Sequence, residues 1–120
     1  LPVSAPFHSH LMSPAATEME TTLKEIEFSD PKIPIVMNVN LQTLGTKEGA
    51  QQSLINQVTG TVRWRESLIV MNENSNVDNF YEIGPGKVLS GTVKRTLKDV
   101  SAFSACEIED IDEMIEVINV

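Results

Sequence analysis

Cysteine is nearly absent from this sequence: Cys106 is the only one among 120 residues, so no disulfide can form within the chain. That excludes the small secreted folds that depend on disulfide bonds for their stability. Cys106 follows the mostly apolar run Ser101–Ala105 and has no basic residue beside it in the sequence. A thiol needs such a neighbour to become a strong nucleophile, so we predict that Cys106 is a buried structural residue.

Positive charge and long hydrophobic runs are also scarce. Nine Lys and Arg residues are outnumbered by 17 Asp and Glu residues, which gives a formal net charge of −8. Nucleic acid is not an expected partner, because binding it requires clustered positive charge against the phosphates. No apolar run approaches the roughly 20 residues that cross a bilayer, and no basic and apolar signal segment opens the chain, so no membrane partner is expected either.

Enough chain and enough apolar character remain for a hydrophobic core. The 120 residues match one domain of ordinary size, and 41% of them are hydrophobic. The chain opens with Leu1-Pro2-Val3-Ser4, without an initiator methionine. We therefore expect it to be a fragment or a processed piece.

Predicted helices and strands alternate along the chain. The predicted order is a strand end over residues 1–5, a helix over 8–26, a strand over 33–39, helices over 46–58 and 62–71, a loop over 72–79, a strand over 80–83, a helix over 87–97, a strand over 100–106 and a helix over 110–117. The apolar, β-branched run 33–39 predicts a buried strand. Such alternation predicts the α/β class, in which parallel strands are covered by helices.

His8 is a candidate catalytic residue, because it lies where the first predicted strand meets the first predicted helix. Functional groups in α/β folds collect at the carboxyl ends of strands, and an imidazole can take up and return a proton near neutral pH. Position alone favours the alternative, a surface histidine without a function. His10 lies two residues further on, but no third Cys, His or acidic residue has the spacing of a metal site, so no metal is expected.

Gly84-Pro85-Gly86 joins a predicted strand to a predicted helix. Its backbone amides can line a binding site at the helix N-terminus. Alternatively, the glycines serve a tight turn that needs positive φ angles, which is the more common case. The spacing is too short for a dinucleotide-binding loop.

Four segments stand in a fixed order along the chain. They are LPVSAPFHSHLM with the following Pro14-Ala15, PIVMNV at residues 34–39, QVTGTVRW at 57–64 and FYEIGPGKVLSG at 80–91. In that order they resemble the histidine segment, the next core strand, the Gln-x-x-x-Pro-Val-x-Trp segment and the most recognisable block of the malonyl-CoA:acyl carrier protein transacylase family. The chain departs from the family pattern at Thr61, where proline is usual.

The resemblance implies a more specific fold than α/β alone. Residues 1–7 would be the last strand of a small ferredoxin-like subdomain, and residues 8–120 the C-terminal part of a hydrolase-like core with a partial parallel sheet. The family's Gly-His-Ser-Leu-Gly nucleophile segment, its arginine for the malonyl carboxylate and its oxyanion-hole glutamine are missing here, because they lie upstream in the family. The chain alone is therefore expected to be inactive.

The resemblance also implies a two-step acyl transfer through a serine outside this chain. His8 would be the general base and acid. The main-chain carbonyl of Gln57 would hold the second ring nitrogen, in place of the aspartate of a Ser-His-Asp triad. Asn38 would support the substrate site, and the bulk of Phe7 favours malonyl, because it leaves little room for an α-methyl branch.

The implied substrates are malonyl-CoA and the phosphopantetheine thiol of acyl carrier protein, with no bound cofactor. The implied partners are that carrier protein and the upstream part of the same enzyme, in cytoplasmic fatty acid synthesis. Two alternatives remain, an acyltransferase domain of a polyketide-type synthase and a non-catalytic acyl-carrier-binding module with a decayed site. His8 and the intact Gly84-Pro85-Gly86 argue against the module.

Basic residues gather at one place in this acidic chain. Lys94, Arg95 and Lys98 follow Lys87 with no acid among them, whereas residues 107–116 form an acidic tail. Because acyl carrier proteins are acidic, we expect Lys94, Arg95 and Lys98 to form a carrier-facing patch. The alternative is a basic face that balances the acidic tail within the chain.

Overall fold

A computed structural model describes residues 5–118 and divides the chain into two compact units. The first unit ends at Ser67 and the second begins at Leu68, and each is described by itself. The strand end predicted at the start of the chain lies largely outside the described residues. No helix within residues 5–118 combines the length and the apolar character that crossing a membrane requires.

Two helices form the main part of the first unit. Helix α1 (Ser13–Lys24) follows a single 3-10 turn (His10–Met12), and Pro14 occupies its first turn, where a missing N–H costs little. Helix α2 (Lys47–Thr59) is capped by Thr46, whose hydroxyl accepts a hydrogen bond from the Gly49 N–H at 3.2 Å. Both predicted helices are confirmed, although α1 begins at Ser13 and not at residue 8, and the two helices pack against each other.

The predicted buried parallel strand over residues 33–39 is wrong. Only β1 (Ile35–Val36) is extended there, and it pairs antiparallel with β2 (Thr43–Leu44). The chain reverses between them at Leu41, which has a φ of 60° and donates its N–H to the Met37 carbonyl at 3.0 Å. A reversal this short can only give antiparallel pairing, since parallel neighbours need a crossover of a dozen or more residues. Ile33 is 74% exposed.

Helix α3 (Trp64–Ser75) carries the boundary between the two units. It continues one turn beyond the predicted end at residue 71, so the predicted polar loop is shorter than expected. Leu68 is fully buried, and Ser67 beside it is 2% exposed.

The second unit contains a small parallel sheet, as the alternation of elements predicted. Strands β3 (Asn79–Ile83) and β4 (Ser101–Ala105) pair in parallel, with Asn79 opposite Ser101 and Ile83 opposite Ala105. Helix α4 (Val88–Thr96) connects them and packs on both, and α5 (Ile108–Ile118) packs on β4. The buried apolar side chains of this unit are Val93, Ala102, Ala105 and Met114, together with Leu68. The α/β class is therefore confirmed.

The carboxylate of Glu82 on β3 caps the N-terminus of α4. It accepts hydrogen bonds from the Leu89 N–H at 3.1 Å, the Ser90 N–H at 2.7 Å and the Ser90 hydroxyl at 2.6 Å. These bonds, the one from the Ser90 hydroxyl first, hold the pKa of Glu82 below its usual 4.5. The Ser90 hydroxyl also lies 3.0 Å from the Phe103 carbonyl oxygen, so this hydroxyl contacts Glu82 on β3 and the backbone of β4.

The Glu82 cap also bears on the role of Gly84-Pro85-Gly86. Gly84 and Gly86 have φ angles of 134° and 98°, which only glycine adopts readily. The N–H groups of Leu89 and Ser90, which an anion at this helix N-terminus would need, already donate to Glu82. The tight-turn alternative is therefore the better account of these glycines.

The prediction that Cys106 is buried is wrong, because the residue is exposed where β4 gives way to α5. Its Sγ accepts a hydrogen bond from the Gly86 N–H at 3.4 Å.

Asp110 in the first turn of α5 accepts from the N–H groups of Cys106 at 2.8 Å and Glu107 at 3.1 Å, as in a capping box. These two bonds lower the pKa of Asp110 from its usual value.

Acid should destabilise the second unit through Glu82 and Asp110. Both carboxyl pKa values are lower in the folded than in the unfolded chain, so the unfolded chain binds more protons at low pH. Stability is therefore complete above the ordinary values of 4.5 and 3.8 and is lost as pH falls below them. We expect the free energy of unfolding, measured by urea denaturation over a pH series, to decline in this range.

Glu82→Gln should make that decline shallower, because an amide has no proton to gain, and should lower stability at neutral pH. Glu109→Gln is the matched control, since it removes the same charge from an exposed position on α5. An equally steep decline in the Glu82→Gln protein would show that the Glu82 cap is not responsible.

Candidate functional site

His8 is held against the end of α2 by two hydrogen bonds. Its backbone N–H donates to the Val58 carbonyl at 3.2 Å, and its ring Nδ1 lies 2.9 Å from the Gln57 carbonyl oxygen. The residue has a φ of 60°, in the left-handed region, where histidine is more common than most side chains. Such a conformation is kept only when neighbouring contacts hold it.

The end of α2 explains why these carbonyls are free to receive His8. The last four carbonyl groups of an α-helix have no partner inside the helix. Here the Gly60 N–H donates to the Asn56 carbonyl at 2.8 Å, and His8 bonds to the next two, those of Gln57 and Val58. A carbonyl oxygen can only accept, so in the neutral ring the proton is on Nδ1 and the lone pair is on Nε2. Nε2 can therefore act as a base.

Gly60 ends α2 where no larger residue fits. A Cβ at this position would lie 2.5 Å from Val39 Cγ2 and 2.8 Å from the Asn56 carbonyl oxygen. The Gly60 carbonyl accepts a hydrogen bond from Gln57 Nε2 at 3.0 Å. The turn after α2 is thus packed from one side by Val39 and bonded back to the last turn of the helix.

Asn38, the predicted supporting residue, lies beside the same turn. Its backbone carbonyl accepts from the Arg63 N–H at 3.1 Å, and its neighbour Val39 packs on Gly60. Its side-chain oxygen lies 3.0 Å from the buried Ser67 hydroxyl. Sequence reasoning missed Ser67, although a small polar residue on the apolar face of a predicted helix is a signal for a buried hydroxyl.

Phe7 and His10 flank His8 and are both exposed. The Phe7 ring centroid is 6.5 Å from that of His8, and the side chain is 59% exposed. His10 begins the 3-10 turn. Among residues 5–118, no three His, Cys, Asp or Glu side chains are grouped closely enough to hold a metal ion.

Lys94, Arg95 and Lys98 lie in the second unit, at and just beyond the end of α4. All three side chains are exposed. Lys94 and Arg95 stand in the last turn of the helix, where positive charge complements the helix dipole. Within the described part of the chain, none of the three makes an ion pair, so their charges are available to solvent.

An exposed histidine that is held through Nδ1, in an α/β chain, is a candidate proton-transfer residue of the kind that general acid–base enzymes use. No protein-family model matches the chain. A malonyl CoA-acyl carrier protein transacylase from Synechocystis sp. is 34% identical over 114 residues, which are 95% of this chain and 39% of that protein. Over most of its length the chain matches the C-terminal portion of malonyl CoA-acyl carrier protein transacylases, and it spans about two fifths of the length of this relative.

Solved structures give the same relationship. Acyl-carrier-protein-S-malonyltransferase from Bartonella henselae superposes with a TM-score of 0.92 at 41% identity, covering 100% of this chain and 38% of that one. A malonyl-transacylase in complex with its type II PKS acyl-carrier protein superposes with a TM-score of 0.90 at 35% identity, covering 98% and 38%.

Gly60→Ala should destabilise the protein by about 1–3 kcal/mol, the usual cost of overpacking, because the new methyl group would overlap Val39 and a backbone oxygen. Gly45→Ala is the control, since a Cβ there meets nothing within 4 Å. The measurement is the free energy of unfolding from urea denaturation. Equal stability of the two variants would mean that the close packing of Gly60 is not needed.

Proposed function

We propose that this chain is the histidine-bearing portion of an enzyme that transfers malonyl from malonyl-CoA to the phosphopantetheine thiol of acyl carrier protein. The observation that carries the proposal is the 2.9 Å contact between His8 Nδ1 and the Gln57 carbonyl oxygen, which leaves Nε2 as the base. The similarity to malonyl CoA-acyl carrier protein transacylases over 95% of the chain supports the choice of reaction.

In the proposed first half-reaction, a serine outside this chain attacks the thioester carbonyl of malonyl-CoA. His8 Nε2 takes the serine proton, an ester bond to serine forms, and the carbon–sulfur bond breaks. His8 then gives its proton to the departing thiolate of coenzyme A. Because the Gln57 carbonyl is neutral, it stabilises the imidazolium less than a carboxylate would, and its main effect is to fix the tautomer and the ring orientation.

The second half-reaction runs the same steps with a different thiol. His8 Nε2 takes the proton of the phosphopantetheine thiol, and the thiolate attacks the malonyl-serine ester. The carbon–sulfur bond forms, the serine oxygen leaves, and His8 returns the proton to it. Both halves need only proton transfer and nucleophilic attack, so the proposal includes no bound cofactor.

The rest of the proposed enzyme would supply the serine, the arginine for the malonyl carboxylate and the oxyanion-hole glutamine. In this proposal residues 8–120 belong to a hydrolase-like core and residues 1–7 end a ferredoxin-like subdomain. Two exposed apolar side chains support the proposal that another part of the enzyme covers them: Ile83 is 71% exposed and Val88 is 73% exposed. Such an enzyme would work in the cytoplasm, in fatty acid synthesis.

Asn38 and Phe7 have supporting roles in the proposal. Asn38 would help to shape the substrate site from the loop that packs on the end of α2, and its contact with Ser67 supports a fixed side chain. Phe7 would restrict the acyl group to malonyl, and its exposed ring next to His8 leaves it free to meet a substrate.

A polyketide-type carrier is the second candidate acceptor. The observation that favours it is the similar malonyl-transacylase that was solved with a type II PKS acyl-carrier protein. The chemistry at His8 would be the same for both carriers. Comparing transfer rates to a fatty acid carrier and a polyketide carrier distinguishes them.

His8→Asn should lower the transfer rate by about 10²–10⁴-fold, the usual contribution of general acid–base catalysis. Asparagine tolerates a positive φ, so the fold should be retained while the proton acceptor is lost. The assay is malonyl transfer from malonyl-CoA to acyl carrier protein by the complete transacylase that contains this chain. His10→Asn is the control and should be nearly neutral; the reverse pattern would disprove the assignment of His8.

Charge reversal at Lys94 and Arg95 tests the proposed carrier patch. Steering charges act mainly on association, so Lys94→Glu with Arg95→Glu should raise the KM for acyl carrier protein roughly tenfold at low salt. The KM for malonyl-CoA should not change. Lys32→Glu with Lys47→Glu is the control, because it makes the same change in net charge at two other exposed lysines.

If the carrier KM rises equally in the two double variants, the change in net charge and not the patch explains the rise. An unchanged carrier KM in the Lys94→Glu, Arg95→Glu enzyme would rule the patch out. Lys98→Glu, added to that enzyme, should raise the carrier KM further if all three residues face the carrier.

A further inference from the structure

The side chain of Gln57 is bonded in a way that the proposed use of its main-chain carbonyl does not require. Any residue at this position would offer a carbonyl to His8. Gln57 also donates from Nε2 to the Gly60 carbonyl at 3.0 Å, and this bond is partly buried.

The donor closes the turn in which the Gln57 carbonyl lies. Both backbone groups of Gly60 are bonded to the last turn of α2: its N–H donates to the Asn56 carbonyl at 2.8 Å and its carbonyl accepts from the Gln57 side chain. Val39 packs on the third side, where a Cβ on Gly60 would be 2.5 Å away. The peptide groups between Gln57 and Gly60 therefore have little freedom to rotate.

Orientation of the Gln57 carbonyl matters because that carbonyl is neutral. A carboxylate would hold an imidazole by charge even from an imperfect angle, but a carbonyl holds it only through hydrogen-bond geometry. His8 has an unfavourable φ of 60° and bonds to this same turn through both its ring and its backbone N–H. If the turn loosens, the carbonyls can turn to water and the ring loses its fixed tautomer.

We propose that the Gln57 side chain is a positioning group: by bonding to the Gly60 carbonyl it fixes the end of α2, and through it the tautomer and orientation of His8. The inference rests on the proposed function for its effect on catalysis. Its effect on the His8 ring does not depend on that function.

Gln57→Met tests the proposal, because methionine is similar in length and helix propensity but has no donor. In the complete transacylase we expect kcat for malonyl transfer to fall about tenfold or more, since small displacements of a catalytic group can cost on the order of 10²-fold. The KM for malonyl-CoA should not change. Gln57→Glu keeps the shape and replaces the donor by an acceptor, so it should lose at least as much.

Gln52→Met is the matched control. Gln52 lies on the same helix and also donates from Nε2, but to the Asn56 side chain at 3.0 Å and not to the turn. This variant should keep the wild-type kcat. Any loss that comes only from removing a glutamine side chain from α2 would appear in both variants.

The tautomer of the His8 ring is the second readout, measured by nitrogen-15 NMR at a pH where the ring is neutral. The wild-type and Gln52→Met proteins should show one tautomer with the proton on Nδ1, and Gln57→Met should show a mixture. The proposal needs both the tautomer change and the kcat loss, and any other combination overturns it. The proposed function fails separately, if His8→Asn transfers malonyl at the wild-type rate.

Discussion

An α-helix leaves the N–H groups at its start and the carbonyl groups at its end without partners inside the helix. In this chain, residues from neighbouring loops and strands bond to those groups. The last carbonyls of α2 are taken by Gly60 and by His8, through both its backbone and its ring. The first N–H groups of α4 are taken by Glu82 from β3, and those before α5 by Asp110. Each of these bonds fixes a loop or strand to a helix end.

The two helix ends lead to different consequences. At α4 the partner is a carboxylate, so the contact is charge-assisted and lowers the pKa of Glu82, and we expect it to make the second unit sensitive to acid. At α2 the partner is an imidazole, which bonds to the helix through Nδ1 and leaves Nε2 outside that bond. The carbonyl groups at the end of α2 would otherwise bond to water. By bonding to His8 Nδ1, the Gln57 carbonyl determines that Nε2 is the nitrogen that can act as a base.

Elements with local causes were predictable from the residues. Thr46 and Gly60 mark the ends of α2, and the run from residue 79 to residue 105 has the strand–helix–strand pattern that gives a parallel pair. Residues 33–39 were not predictable, because their apolar, β-branched composition suits a buried strand and nothing local reveals the reversal at Leu41. The prediction that Cys106 is buried was wrong for a similar reason. Its apolar neighbours lie on β4, but Cys106 itself lies just past the end of that strand.

By itself the sequence determined the α/β class and those helices and strands that have a clear local pattern. Its four ordered segments also determined the resemblance to one family. From its position in the sequence alone, His8 was more simply interpreted as a surface histidine without a function. The resemblance named the Gln57 carbonyl as the partner of His8, but no local pattern in the residues did. The tertiary structure brings His8 Nδ1 to 2.9 Å from that carbonyl, 49 residues away, and it alone shows that Asn38 meets Ser67, 29 residues away. Such contacts depend on how helices and loops close on one another, and no local periodicity encodes that packing.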